Sequence, residues 1–133
     1  MIVIDASIAV KWIKTEETDS EKAKAIYNQL IDGKEKIIVP QWFFIEIGNY
    51  LVTKSKSSSS HIRKLMDFLF SLNLEIYQVR EDDITAAVLL AMQFKTTVYD
   101  MLYAVVARKH KTILITADDK FRRLTQFPYV KLL

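Results

Sequence analysis

The sequence contains no cysteine and very little glycine or proline. Among its 133 residues are 0 Cys, 2 Gly and 2 Pro, so the chain carries neither a disulfide framework nor a thiolate metal site. Two glycines do not suffice for a phosphate-binding glycine loop, and no Gly-x-Ser-x-Gly motif for a nucleophilic serine is present. These absences exclude disulfide-stabilised modules, zinc–thiolate modules, P-loop enzymes and serine hydrolases with that motif.

Long apolar runs and a strong charge of one sign are also missing. No run approaches the roughly 20 apolar residues that span a bilayer, and no basic segment precedes the apolar N-terminus, as it would in a signal peptide. The net charge is +3, which permits a nucleic-acid partner without requiring one. We therefore expect a cytoplasmic protein with no membrane contact.

What is present fits one α/β domain over residues 1–133. Half of the chain (50%) is hydrophobic, which is enough to bury a core. Short β-branched runs alternate with amphipathic helices, a pattern that predicts helices on both faces of a mostly parallel sheet. The predicted strands are Met1–Ile4, Lys36–Val39, Leu74–Val79, Thr112–Thr116 and Val130–Leu132.

Helices are predicted from apolar periodicity and capping residues. They are Ser7–Ile13, a helix from the Thr18/Glu21 capping box to Gly33, Gln41–Lys54 after Pro40, a helix capped by Ser60, a helix capped by Asp82 or Asp83, Thr97–Lys109 and Ala117–Leu124. The helix after Asp83 is predicted to bury one apolar face, formed by Ile84, Ala87, Val88, Ala91 and Met92.

Four acidic residues stand at positions that otherwise belong to the core or its edge. Asp5 and Asp118 follow the first and fourth predicted strands, at the carboxyl edge of the sheet, where such folds bind ligands. Glu46 and Asp100 lie in largely apolar helices, where an unpaired carboxylate is unfavourable. We expect the four side chains to meet at this edge.

Each acid also has an ordinary structural role open to it. Asp5 and Asp100 could cap helices, Asp118 could form an Asx turn, and Glu46 could be a buried, hydrogen-bonded side chain. Carboxylates that meet without a counter-ion repel one another. A divalent cation removes this repulsion, and ligands that are all oxygen favour Mg²⁺ or Mn²⁺ over zinc. A metal site for phosphodiester hydrolysis is therefore one of two open interpretations.

Four segments carry a resemblance to a known family. They are IDASIAVKWI around Asp5, VPQWFFIEIGNYL around Glu46, TVYDMLYAVVA around Asp100 and ILITADDKF around Asp118. In order and spacing, over nearly the whole chain, they resemble the PIN-domain ribonucleases, and more narrowly the VapC-like toxins of bacterial and archaeal toxin–antitoxin pairs. The resemblance implies a three-layer α/β/α PIN-like fold and metal-dependent endonucleolytic cleavage of RNA, often tRNA or rRNA.

The resemblance also implies roles and partners. Asp5, Asp100 and Asp118 would bind Mg²⁺ or Mn²⁺, and Glu46 would hold a water on the metal or a second ion. Ser7 and Thr116 would support the site by orienting the carboxylates. Asp119 would be an auxiliary acid, although we favour its interpretation as an exposed residue at the start of a helix. The implied partners are an RNA substrate, a small antitoxin whose segment enters the active-site groove, and a second copy in a homodimer.

Two other functions are alternatives to a ribonuclease. An Asp-dependent phosphatase would need a second Asp two residues after Asp5, where Ser7 stands. A non-catalytic module could instead bind RNA or a protein through the same groove.

The basic residues could support either an RNA contact or a solvated surface. They form three groups: Lys54, Lys56, His61, Arg63 and Lys64; Arg108–Lys111; and Lys120, Arg122 and Arg123. We interpret Arg108–Lys111 as a solvated helix end that complements the helix dipole. The group after Asp118 leaves both interpretations open.

Overall fold

A computed structural model describes residues 1–14 and 19–133. The predicted capping box begins at Thr18, which lies outside the described residues. In chain order the elements are β1 (Ile2–Ile4), α1 (Ala6–Ile13), α2 (Ser20–Ile31), β2 (Ile37–Pro40), α3 (Phe43–Lys54), α4 (Ser59–Ser71), β3 (Glu75–Tyr77), α5 (Glu81–Phe94), α6 (Val98–Lys109), β4 (Leu114–Thr116), α7 (Asp119–Thr125) and β5 (Val130–Leu132).

The strands form one parallel sheet in the order β3-β2-β1-β4-β5. From β1 the chain moves outward to β2 and β3, and then returns across the sheet to β4 and β5. Because parallel crossovers are right-handed, this reversal puts α1–α4 on one face and α5–α7 on the other. The predicted three-layer α/β/α fold is confirmed, and its topological switch point lies between β1 and β4, where such sheets bind ligands.

The core lies on both faces of the central strands. Val3, Ile4, Ile38 and Val39 are 0% exposed, as expected for strands that helices cover on both sides. On one face α6 is buried continuously over residues 101–107. This burial holds the start of α6, where Asp100 lies, against the carboxyl edge of the sheet.

Some predicted boundaries are wrong by about two residues. Pro40 ends β2 instead of opening the next helix, because a proline can end a strand where no ladder bond needs its missing N–H; α3 therefore begins at Phe43. Ser58 rather than Ser60 caps α4, accepting a hydrogen bond from the His61 N–H at 3.3 Å. The predicted end of α2 is confirmed by Gly33, whose φ is +67°.

The predicted start of α5 is wrong, and its predicted apolar face is confirmed only at Ala87 and Ala91. The helix begins at Glu81 and buries Asp83, Ala87 and Ala91. The larger apolar residues are exposed instead: Ile84 by 46%, Val88 by 45% and Met92 by 75%. The small side chains of the two alanines allow α5 to pack closely against α6, so packing distance and not apolar character sets the buried face.

Asp83 is buried, with 3% exposure, and joins three elements. Its carboxylate accepts hydrogen bonds from Lys109 Nζ of α6 at 2.7 Å, from the Tyr77 hydroxyl of β3 at 2.7 Å and from the Arg80 N–H at 3.0 Å. Burial alone would raise the pKa of Asp83, but these donors, Lys109 foremost, together bring it below its ordinary value. The network stabilises the edge of the sheet opposite β5.

In the described part of the chain, no helix has the length and apolar character needed to cross a membrane.

Candidate active site

Asp5 directly follows β1 and caps α1. Its Oδ1 accepts hydrogen bonds from the Ser7 N–H at 3.0 Å and from the Ser7 hydroxyl. The Ser7 Oγ in turn accepts a hydrogen bond from the Ala117 N–H at 3.0 Å. Ser7 therefore orients the Asp5 carboxylate and ties the end of β1 to the loop after β4.

Thr116 links Asp5 to Asp118. It is the last residue of β4 and is 0% exposed. Its side chain lies close enough to Asp5 to lower the pKa of that carboxyl, and its Oγ1 accepts a hydrogen bond from the Asp118 N–H at 2.9 Å. Asp118 caps α7, because its Oδ1 accepts from the Phe121 N–H at 2.9 Å. Asp5 and Asp118 thus act as caps, a role that engages Oδ1 in each and leaves the second carboxylate oxygen outside the cap bond.

Glu46 lies on α3 and is held by a residue of α6. The Tyr103 hydroxyl donates a hydrogen bond to Glu46 Oε2, and Tyr103 itself is 1% exposed. Its ring packs edge-on against Trp42, with centroids 5.9 Å apart. Tyr103 is absent from the site predicted from sequence. Its helical spacing from Asp100 puts both on one face of α6, but its bond to a residue 57 positions away leaves no local pattern.

Asp100 is tied to the N-terminus of α6. The Thr97 hydroxyl donates to Asp100 Oδ2 at 2.7 Å and accepts from the Asp100 N–H at 3.1 Å. Thr97, and not Asp100, therefore caps the helix, and its spacing from Asp100 is a capping-box signal that the sequence carries. Asp100 and Asp118 line one open depression of ≈ 390 Å³ together with Thr97, Lys95 and Lys120.

The acidic side chains are close enough to act on one another's charge. Burial raises the pKa of Asp5 to about 6, with a smaller contribution from Asp100. Burial also raises the pKa of Glu46, and Asp5 and Asp100 add to that shift. The pKa of Asp100 is raised by burial and then by Asp118. Among residues 1–14 and 19–133, no Lys or Arg forms an ion pair with any of the four acids.

This donor set fits a hard divalent cation. Among the described residues, no three His, Cys, Asp or Glu side chains stand together as a ready cation site; the acids are held by their own bonds to Ser7, Thr97 and Tyr103. Mg²⁺ usually takes one or two protein carboxylates and keeps several waters, so it needs no three-acid cage. Crowded carboxylates without a cationic partner favour the binding of such an ion.

Asp119 is directed to its own helix. Its carboxylate forms ion pairs with Arg122 at 3.1 Å and Arg123 at 2.8 Å. None of the pKa shifts of the other acids is caused by Asp119. Hydrogen bonds link Asp5 and Ser7 to the loop that holds Thr116 and Asp118. Asp100 shares a depression with Asp118, and Glu46 acts on Asp5 and Asp100 only through its charge.

A sequence match decides the family. The model of the PIN domain matches residues 2–126, a range that holds all the predicted site residues. The chain belongs to the PIN domain family. No curated protein matches the sequence significantly.

Solved structures with the same fold are similar to this PIN domain at low sequence identity. A toxin–antitoxin complex from Klebsiella pneumoniae has a TM-score of 0.70 and 16% identity, covering 98% of this chain and 96% of that one. VapBC2 from Rickettsia felis, bound to a DNA fragment from its promoter, has a TM-score of 0.66 and 19% identity, covering 100% and 98%. VapC20 from Mycobacterium tuberculosis, a toxin that cleaves the sarcin–ricin loop, has a TM-score of 0.70 and 11% identity, covering 92% and 94%.

Proposed function

We propose that this PIN domain is a metal-dependent endoribonuclease, the toxin of a toxin–antitoxin pair. The observation that carries the proposal is that acidic side chains at the ends of β1 and β4 and on α3 and α6 act on one another's charge beside the topological switch point, while none of them forms an ion pair with a described Lys or Arg. Carboxylates that served only to stabilise the fold would be expected to pair with Lys or Arg side chains. An enzyme that binds a cation and a phosphate group at this edge requires carboxylates without such partners.

The proposed division of labour follows from the contacts of each residue. Asp5, Asp100 and Asp118 would hold Mg²⁺ or Mn²⁺, with Glu46 beside them. The cation supplies positive charge that stabilises the phosphate in the transition state and acidifies the attacking water. Glu46, held by Tyr103, would orient that water and accept its proton. Ser7 and Thr116 would orient the Asp5 carboxylate for the cation.

The proposed partners are an RNA substrate, an antitoxin protein and a second copy of the chain. One of the similar structures described above is a toxin–antitoxin complex by name, which supports an antitoxin partner. The name of another states that it cleaves the sarcin–ricin loop, which supports an RNA substrate. The proposed setting is the cytoplasm, where both kinds of partner occur.

Cleavage of total cellular RNA by the purified protein tests this proposal. The reaction is run with Mg²⁺, with Mn²⁺ and with EDTA, beside Asp5→Asn and the control Asp67→Asn, which changes an exposed carboxylate on α4. We expect discrete products with either metal, none with EDTA, at least about a hundredfold less cleavage by Asp5→Asn, and full activity of Asp67→Asn.

The alternative is a non-catalytic module that binds RNA or protein through the same groove. It would bind the metal without turnover. Absence of cleavage with every metal, from folded protein free of a co-purified inhibitor, would favour this alternative over the nuclease.

A further inference from the structure

The corner between α7 and β5 brings together basic residues that are far apart in the sequence. One open depression of ≈ 750 Å³ is lined by Arg122, Arg123 and Lys131, together with Pro128. A second, of ≈ 600 Å³, is lined by Arg108 and Lys111 and shares Pro128 with the first. Cations from α6, α7 and β5 therefore lie around one corner of the molecule, which we call the β5 groove.

The charge of the β5 groove is only partly compensated. None of the described residues that line either depression is Asp or Glu. Arg122 and Arg123 share the single carboxylate of Asp119. Within residues 1–14 and 19–133, Arg108, Lys111 and Lys131 form no ion pair. The groove thus presents uncompensated positive charge, which attracts a polyanion.

Two aromatic rings stand between these cations. Phe127 lines the first depression and Tyr129 the second, and their rings stack with centroids 5.3 Å apart and an angle of 14°. Both rings are half-buried. Arg108 lies close enough to Tyr129 to oppose the rise in the pKa of Tyr129 that burial causes. Phe127 also packs edge-on against Phe94, so Tyr129 is the ring with a face left to a ligand. Cations along a backbone path beside a partly exposed aromatic ring are typical of single-stranded nucleic-acid binding.

Helix α7 lies between the candidate active site and the β5 groove. Lys120, Phe121 and Leu124 of this helix line the depression that holds Asp100 and Asp118. Arg122 and Arg123 of the same helix line the groove. A polymer whose phosphate lies at the acidic cluster can therefore pass over α7 and reach β5.

We propose that the β5 groove binds the phosphate backbone of the RNA on one side of the cleaved bond. This inference rests on the proposed ribonuclease function, since it gives the path of the substrate beyond the acidic cluster. An acidic protein segment would suit the charge, but the stacked rings, and the position of the groove across α7 from the acidic cluster, favour a nucleic acid. The solvated helix end predicted for residues 108–111 is then part of a binding surface.

Binding can be measured without cleavage. A fluorescein-labelled, single-stranded RNA of mixed sequence is titrated in EDTA with Asp5→Asn protein, and anisotropy gives Kd at several KCl concentrations. The groove variant carries Arg108→Gln, Lys111→Gln and Lys131→Gln on this background. The matched control carries Lys56→Gln, Arg63→Gln and Lys64→Gln, an equal loss of charge near α4, which leads to β3 at the opposite edge of the sheet. Thermal melts and circular dichroism show that both variants are folded.

We expect the groove variant to bind the RNA at least about tenfold more weakly than the parent, and the control less than about twofold. The slope of log K against log salt should become less steep by about two in the groove variant, because the variant loses three cations and each phosphate contact on a single strand contributes about 0.7. Equal losses in both variants, or no loss in either, would overturn the inference. Polyglutamate is titrated in the same way as a second probe. If the groove variant binds RNA normally but binds polyglutamate more weakly, the inference is overturned in favour of an acidic protein partner.

The outcome is separable from that of the proposed function. If the wild-type protein cleaves RNA but the groove variant binds normally, the inference fails and the nuclease stands. If no metal supports cleavage but the groove variant loses RNA binding, the groove stands and the nuclease fails.

Discussion

Asp5 serves two purposes at one position. It caps α1 through Oδ1, and burial and Asp100 raise its pKa to about 6. A cap needs only a hydrogen-bond acceptor, so capping alone gives no reason for several carboxylates to meet. Asp5 therefore makes the hydrogen bond of a helix cap, while its negative charge is not paired with a described cationic side chain. The same holds for Asp100, whose bond to Thr97 leaves the repulsion from Asp118 in place.

Asp100→Asn should stabilise the metal-free protein. The amide can still accept the bond from Thr97, while one charge leaves the crowded cluster. We expect a gain of about 1 kcal/mol, or a rise in Tm of about 4 °C, in EDTA by calorimetry. The control Asp67→Asn should leave Tm unchanged. A lower Tm for Asp100→Asn would mean that the carboxylate is needed for folding rather than for a ligand.

Tyr103→Phe should impair the site more than the fold. Removal of the hydroxyl frees Glu46 from its donor but keeps the ring against Trp42. Loss of such a supporting partner typically lowers activity or metal affinity about 10- to 100-fold, which we expect in kcat with little change in KM. Tyr99→Phe, on the same helix but with Tyr99 62% exposed, is the matched control. Equal kinetics in both variants would remove Tyr103 from the site.

The elements could be predicted better than their contacts. Local signals such as Gly33, the Thr97–Asp100 spacing and the β-branched strands follow from backbone chemistry that a short segment contains. The exposure of Met92 on α5 could not be predicted in this way, because close packing on α6 buries the small Ala87 and Ala91 of the predicted face and leaves the larger residue outside. The contact between Glu46 and Tyr103 also could not be predicted from a short segment, because it forms only when two separate helices pack together.

The buried network of Asp83 makes a prediction at the level of elements. Asp83→Asn removes the charge from the bond with Lys109 that joins α5 to α6, which should cost about 2 kcal/mol of unfolding free energy. Asp82→Asn is the control, since Asp82 lies 3.5 Å from the same lysine but is 75% exposed; its cost should stay below about 0.5 kcal/mol. Urea denaturation measures both.

The pH dependence of this difference has a definite sign. Because the folded-state pKa of Asp83 is lowered, its stabilising effect is present above the unfolded value of about 3.9 and is lost as the pH falls through the folded value. The gap between wild type and Asp83→Asn should therefore be constant from pH 5 to 7 and should shrink below about pH 4. A gap that widens on acidification would contradict the assignment.

For the whole molecule, the strand order explains why Asp5 and Asp118 lie at one edge of the sheet. A sheet that grows outward from β1 in both directions separates its helices at the switch point, and the ends of β1 and β4 lie on either side of that opening. Residues 5 and 118 are distant in sequence, yet Ser7 and Thr116 connect them through short bonds. The alternation of strands and helices predicts such an edge, and the resemblance of four segments to one family predicts which acidic residues lie there.

The central claim is that these acids form one divalent-cation site, and direct Mn²⁺ binding tests it most directly. Electron paramagnetic resonance of free Mn²⁺ is followed during titration of wild type, Asp5→Asn, Asp100→Asn and Asp67→Asn, each shown to be folded. We expect saturable binding by wild type and Asp67→Asn, and at least about tenfold weaker binding by the other two. Equal Mn²⁺ affinity in all four proteins would contradict the account.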